Sequence, residues 1–338
     1  MPDFSSIDLS HPLEIDGIKL RNRVFLAPMS GVSDVPFRKL AWQFGAGMVV
    51  SEMVASQALV EGEEEMLLKV QASDATLHVV QIAGREAKWM ALAAEMAQNH
   101  GAQIIDLNMG CPARRVTTGY SGSALMRDLD HALTLIDAVV NVAEVPVTLK
   151  MRLGWDHDSI NAPQLARRAE NAGIKMITVH GRTRCQFYKG KADWETIRFV
   201  KEEIHIPLVV NGDIGNLADA KSALAKSQAD AVMVGRATYG APWLLGKIAN
   251  PKDSPNPLNA DYVRAHHEMM LSFYGAKSGI RQARKHLGWY LNTLAPMDQS
   301  EDLKRRMMTS ENPKEVHQLI DKVFRNGIHG YSAIKSAA

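Results

Sequence analysis

The sequence predicts a closed (β/α)8 barrel followed by an all-helical domain, and three observations carry that prediction. Eight short apolar, β-branched runs recur through the first 240 of 338 residues, separated by segments with helical spacing. No GxGxxG turn follows the first run, where SGVSDVPFR stands instead, which argues against an open doubly wound sheet. After PNPL (255–258) the runs cease, and the remainder keeps helical spacing without a convincing strand. The expected division is a barrel over residues 1–250 and a helical domain over 251–338, joined by the Pro/Asn-rich stretch ANPKDSPNP.

In chain order the runs are VFLAPM (24–29), GMVVSE (47–52), LHVVQIAG (77–84), IIDLNMG (104–110), PVTLKMRLG (146–154), MITVHGR (176–182), PLVVNGD (207–213) and AVMVGR (231–236). Each is too short for a helix and too continuous for a half-exposed strand, which suits parallel strands covered on both faces. The intervening helices include EAKWMALAAEMAQNH (86–100), HALTLIDAVVNV (131–142), NAPQLARRAENAG (161–173) and NLADAKSALAKS (216–227). APWLLGKIAN (241–250) is expected as a short extra helix after the last strand, and EGEEE (61–65) as a solvated acidic surface.

Composition narrows the class. Hydrophobic content of 46% and charged content of 22% fit an ordinary globular protein, and no run approaches the apolar length of a membrane span. The N-terminal MPDFSSIDLSHPLEI lacks a signal-peptide layout, and two cysteines imply no disulfide framework, so the expected compartment is the cytoplasm. Net charge is only +2, but residues 251–338 carry 13 Lys and Arg against 9 Asp and Glu.

Chemistry in such barrels sits at the C-terminal strand ends. Six of the eight ends carry polar residues that a packed core disfavours: Gln81, Asn108 with Cys111, Lys150 with Arg152, His180 with Arg182, Asn211 with Asp213, and Arg236. The last two loops supply Gly212 and Gly235 beside Arg236, an arrangement suited to phosphate. A cation at Lys150 and an imidazole at His180 would stabilise negative charge on an electron-rich ring such as a reduced flavin. A Schiff-base role for Lys150 is the alternative, and it leaves Cys111 without a function. Cys185 is expected to be inert, and no metal site is expected.

The motifs APMSGVSDVPFR (27–38), SEM (51–53), QIAG (81–84), NMGCPARRV (108–116), GSALMRD (122–128), LKMRLGW (149–155), VHGRTR (179–184), NGDI (211–214), VMVGRA (232–237) and RKHLGWYL (284–291) resemble the tRNA-dihydrouridine synthase family, most closely its bacterial B subgroup (DusB), over essentially the whole chain. The resemblance implies an FMN enzyme that uses NADPH to reduce the C5–C6 bond of specific uridines, here expected in the D-loop, of tRNA. It implies FMN contacts at Pro28, Met29, Gln81, Lys150, His180, Asn211, Asp213, Gly235 and Arg236, uracil contacts at Asn108 and Arg152, and a proton donor at Cys111. Arg114 and Arg115 stand where family members often carry lysines, and the charge is kept although the geometry of a guanidinium differs.

Reduction across C5–C6 needs a hydride at C6 and a proton at C5, and a thiol of ordinary pKa, about 8.5, is protonated at neutral pH yet acidic enough to protonate such a carbon. Asn108 is expected to hydrogen-bond uracil N3–H and Arg152 a uracil carbonyl, with Arg182 a further substrate contact. GYSGSA (119–124) is expected to hinge a mobile lid. The target base must be splayed out of the folded RNA to reach such a site. Lys277, Arg281, Arg284 and Lys285 share one helical face and are expected to grip RNA phosphates, with Lys304, Arg305 and Arg306 as a second cluster. Two other functions stay open on these residues: an FMN-dependent reductase of a small pyrimidine or enone, and a non-catalytic tRNA-binding protein. No membrane and no obligate protein partner is expected.

Overall fold

A computed structural model describes residues 7–72, 77–252, 260–294 and 301–325. The expected linker around PNPL therefore lies outside the described residues. Ten strands are present among them: β1 (Leu13–Ile15), β2 (Ile18–Leu20), β3 (Val24–Leu26), β4 (Met48–Ala55), β5 (Val79–Ala83), β6 (Ile104–Met109), β7 (Val147–Arg152), β8 (Met176–His180), β9 (Leu208–Asn211) and β10 (Ala231–Val234). Strands β3 to β10 close into one parallel barrel in sequence order, with β10 pairing back onto β3. All eight apolar runs became barrel strands.

The hairpin β1–β2 was not foreseen, although Asp16-Gly17 between β-branched residues is a hairpin signal. Both residues adopt positive φ (48° and 83°), as the tight turn requires. Leu13, Ile15 and Leu20 pack with Phe25, Met48, Ile104, Met176 and Met233 inside the N-terminal end of the barrel. The hairpin thus stoppers that end.

Register sorts the barrel interior into layers. Strand pairing sets Gln81 beside Asp106 and Asp106 beside Thr148, and one step higher Asn108 beside Lys150. At the top, Arg152 pairs with His180 and His180 with Asn211. Side chains alternate across a strand, so the same inward parity that buries Ile104 at the bottom delivers Asn108 at the top.

Helices start where short polar side chains can cap them. Asp34, Asp128, Asp193 and Asn216 each accept a backbone N–H of the first turn of the helices Val35–Gln43, Leu129–Val140, Trp194–Lys201 and Leu217–Ser227. The extra helix after β10 runs over Leu244–Ala249. Within EGEEE, Glu64 and Glu65 open the helix Glu64–Lys69, where Glu65 pairs with Lys69 at 2.5 Å.

The C-terminal part holds four helices among the described residues, Ala260–Tyr274, Ala276–Leu294, Glu301–Thr309 and Pro313–Arg325. They pack around Val263, Tyr290, Ile320 and Val323. This part is seated on the barrel: Phe37 stacks on His286 at 5.4 Å, and Tyr274 Oη donates to Asp34 Oδ2 at 3.1 Å.

Candidate active site

A cavity of about 400 Å³ opens at the C-terminal end of the barrel. Its wall brings together Pro28, Met29, Gln81, Asn108, Cys111, Lys150, Arg152, His180, Asn211, Gly212, Asp213, Gly235 and Arg236. These residues come from seven strand ends of one chain, and their convergence follows from barrel closure.

A chain of buried hydrogen bonds fixes its floor. Thr148 Oγ1 and Gln81 Nε2 both donate to Asp106, at 2.6 and 2.7 Å, and Asn108 Nδ2 donates to Gln81 Oε1 at 2.6 Å. Burial raises the Asp106 carboxyl against those hydrogen bonds and the nearby Lys150 charge. The result orients Gln81 by a fixed partner. Lys150 Nζ donates to Asn211 Oδ1 at 3.0 Å, and Asn211 in turn donates to Met233 O. Burial lowers the Lys150 ammonium to about 8, only partly countered by Asp106. This cation has one neutral acceptor, and a negatively charged or strongly accepting ligand edge would complete its shell.

His180 is neutral, because burial and then the charges of Arg152, Lys150, Arg182 and Arg236 press its pKa well below the usual value. Its Nδ1 is buried with no partner. Gly212 has φ +117°, and a Cβ there would stand 2.8 Å from Ala192 Cβ and 3.3 Å from His180 Cε1. An unpaired imidazole nitrogen, a lysine short of an acceptor and a glycine wall against the imidazole fit a planar heteroaromatic ligand with an anionic edge. A flavin meets that description.

The Cys111 loop is clamped from several sides. Asn108 Oδ1 accepts the N–H groups of Gly110 and Cys111 at 3.2 and 3.0 Å, and Arg152 Nε donates to Gly110 O at 2.8 Å. Ser123 donates to Cys111 O through both Oγ (2.8 Å) and N (3.1 Å). The stretch expected as a hinged lid therefore differs from expectation: Gly122–Arg127 is a 3-10 helix whose first five residues are buried, and Gly122, at φ +59°, packs tightly on Cys111. It braces the cysteine loop.

Several expected roles shift in the structure. Both lone pairs of Asn108 Oδ1 are taken up by the loop, so Asn108 is left to donate rather than to accept uracil N3–H. Arg152 uses Nε and Nη1 on Gly110, Thr183 and Phe187, which leaves Nη2 for a ligand. Arg182 lies behind the cavity wall, gripping Asp213 bidentately at 2.9 and 2.6 Å together with Lys189 O and Gly190 O. It is buried and does not line the cavity. Burial would raise the Asp213 carboxyl, but Arg182, the Ala192 N–H and Arg236 outweigh it and hold it low. That pairing keeps most of the Asp213 charge on Arg182, with Arg236 at a looser 3.7 Å.

The basic faces of the helical part also divide. Arg284 donates to Thr309 O at 3.0 Å, closing the helix Glu301–Thr309, and Lys285 turns toward the barrel to donate to Gln282 near Asp34 and Glu52. Lys277 and Arg281 stay exposed. Lys304, Arg305 and Arg306 pair with Glu301, Asp302 and Glu315. Arg114 and Arg115 are exposed beside the Cys111 loop. Sequence reasoning missed Phe187, Tyr188 and Tyr239, which line the cavity. Tyr188 is half exposed, with the Arg236 guanidinium 4.7 Å and the Arg152 guanidinium 5.6 Å from its ring centroid. The adjacent aromatics in QFYKG were the available signal.

The barrel, with its cavity at the C-terminal strand ends, has the overall shape of solved (β/α)8 enzymes. An old yellow enzyme homologue from Zymomonas mobilis (NCR) superposes with a TM-score of 0.53 at 15% identity, covering 74% of this chain and 94% of that one. A 2-naphthoyl-CoA reductase superposes with a TM-score of 0.58 at 15% identity, covering 73% of this chain and 53% of that one. These likenesses are of fold. The dihydrouridine synthase (Dus) family matches over residues 25–328, and the chain belongs to that family. A probable tRNA-dihydrouridine synthase of Rhizobium leguminosarum bv. phaseoli is 56% identical over 299 residues, 88% of this chain and 94% of that protein. The tRNA-dihydrouridine synthase B of Escherichia coli K12 is 41% identical over 323 residues, 93% of this chain and 99% of that protein.

Proposed function

We propose that this protein is an FMN-dependent tRNA-dihydrouridine synthase that reduces the C5–C6 bond of specific uridines in tRNA, in the D-loop, with NADPH as reductant. The observation that supports it most is one cavity wall holding Cys111 together with buried Lys150 and the unpaired imidazole of His180. Pro28, Met29, Gln81, Lys150, His180 and Asn211 would hold the FMN ring, and Gly212, Asp213, Gly235 and Arg236 would surround its phosphate. When bound and reduced by NADPH, FMN supplies the hydride that adds to uracil C6.

The chain's own groups do the rest. Lys150 and His180 present a cation and a neutral imidazole to the flavin edge that carries negative charge, in a site where burial strengthens both interactions. Arg152 Nη2 and Asn108 Nδ2 donate to uracil carbonyl oxygens and draw off charge that develops as C6 is reduced. Cys111 gives its thiol proton to C5, and its loop, braced by Asn108, Arg152 and Ser123, keeps that sulfur in place. Arg114, Arg115, Lys277 and Arg281 meet RNA phosphates, and Arg284 and Lys285 support the helical part that carries two of them. Residues 1–250 form the catalytic barrel and 251–338 the tRNA-binding part. We assign the protein to the cytoplasm, on its two free cysteines; no helix among the described residues is long and apolar enough to cross a membrane.

The test is a position-by-position dihydrouridine map of tRNA from cells lacking this chain, with wild type or Cys111→Ala restored. Loss at defined positions, rescued by wild type and not by the alanine variant, is the expected result. An unchanged map in cells with no second such enzyme would overturn the reading. Turnover of free uracil or an enone at a rate matching tRNA would favour a small-molecule reductase instead.

A further inference from the structure

A second cavity of about 330 Å³ adjoins the first and shares Ser30 and Met53 with it. It lies where the barrel top meets the helical part, between Glu52, Lys69, Arg115, Phe273 and Tyr274. Its inner wall holds two carboxylates with different fates. Asp34 is saturated: Oδ1 accepts Phe37 N–H at 2.9 Å and Oδ2 accepts the Tyr274 hydroxyl. Glu52 is not. Its side chain is 4% exposed, Oε1 accepts Gly31 N–H at 2.5 Å, and Oε2 has no hydrogen-bond partner among the described residues. Lys285 places positive charge nearby but binds Gln282. Nothing in the flavin chemistry above uses Glu52.

We propose that this cavity is a second nucleobase site, in which Glu52 reads the paired N–H donors of a guanine flanking the target uridine. The inference rests on tRNA being the substrate. A carboxylate oxygen that faces the cavity unpaired and can only accept selects an edge that donates, and among the four bases guanine alone offers two adjacent donors, N1–H and N2–H, on its pairing edge. Phe273 and Tyr274 supply aromatic surface beside the base, and Arg115 supplies charge for its phosphate, the Lys69 charge being taken up by Glu65 in the same wall. Contact with the first cavity through Ser30 and Met53 suits a neighbouring nucleotide of the same strand. Glu52 also holds the Gly31 loop, so Glu52→Gln is the informative variant: its amide oxygen can still accept the Gly31 N–H, while the other atom becomes a donor.

The experiment measures kcat/KM of the FMN-loaded protein on tRNA transcripts in which each guanine near the target uridine is replaced in turn by inosine, which lacks the 2-amino group. Wild type is expected to lose about tenfold at one such guanine, the order of one lost base-edge contact. Glu52→Gln is expected to lose that discrimination and treat the guanine and inosine transcripts alike. A wild-type protein that reduces tRNA with no dependence on any nearby guanine overturns this inference alone, whether or not the variant folds. So does a Glu52→Gln protein that keeps the full guanine preference. A wild-type protein that reduces no tRNA overturns the proposed function, and this inference with it.

Discussion

The two ends of the barrel are made from the same eight strands and have opposite interiors. At the N-terminal end Phe25, Met48, Ile104, Met176 and Met233 meet under a hairpin plug. At the C-terminal end, the same inward positions carry Asn108, Lys150, Arg152, His180 and Asn211. Between them runs the Gln81–Asp106–Thr148 belt, where every charge or amide has an assigned partner. One end is built to lower the free energy of the folded chain. The other holds groups whose bonding is incomplete until a ligand arrives, and so the fold carries it as a cost.

Mutations at the two ends should separate these roles. The largest effect on stability is expected at the closed end: Ile104→Ala should cost about 3 kcal/mol in urea unfolding of the apoprotein, by lost burial and an unfilled cavity. FMN affinity, measured on the protein that remains folded, should change little; a loss of flavin comparable to that of an open-end variant would break the comparison. At the open end the sign reverses. Lys150→Met should leave the apoprotein as stable or more stable, by up to about 2 kcal/mol, while weakening FMN binding about tenfold or more in a fluorescence titration. A destabilised apoprotein would show that Lys150 is held for the fold.

The smallest effect is a pH dependence carried by Lys150. Its folded pKa is lowered to about 8 from the usual 10.5, so between those values the unfolded chain binds the proton more tightly. Apoprotein stability should therefore gain from this group as pH rises through that window, with a slope of at most about 1.4 kcal/mol per pH unit, and lose that gain as pH falls to 8. The wild-type minus Lys150→Met difference in urea midpoint from pH 7.5 to 9.5 isolates it. A difference that is flat with pH would place the lysine in a better solvated setting than its burial implies.

The barrel was legible because buried parallel strands write themselves as apolar runs, and its functional end because polar residues closing such runs have few structural uses. The same signal marked Lys150, His180, Asn211 and Arg182 alike, and the fold puts the first three in the cavity wall and Arg182 behind it. All four close a strand run, but which donors are already engaged depends on Asp213, which lies 31 residues beyond Arg182 and reaches it only through the fold. Helical spacing likewise placed Lys285 with an RNA-facing row, and its neighbours Asp34, a helix cap, and Glu52, in β4, lie more than two hundred residues upstream. The glycines of GYSGSA carry no mark that separates a hinge from a tight contact; the carbonyl of Cys111 decides it. The hairpin escaped notice because three-residue strands are too short to show a period, even with Asp16-Gly17 between them.

Barrel closure joins residues that are far apart in the order of synthesis. β3 and β10 pair Val24 with Val232, and Arg23 donates to Asp230 O at 2.8 Å. While the chain is being made, β3 has an unpaired edge until some two hundred further residues have emerged, and closing that gap is among the slowest steps available to such a topology. The part of the cavity wall made by Pro28, Met29, Gly235 and Arg236 cannot close before then. The nascent protein is therefore expected to be unable to bind flavin until its last barrel strand leaves the ribosome, so cofactor capture falls at the end of translation and reports that the barrel has closed.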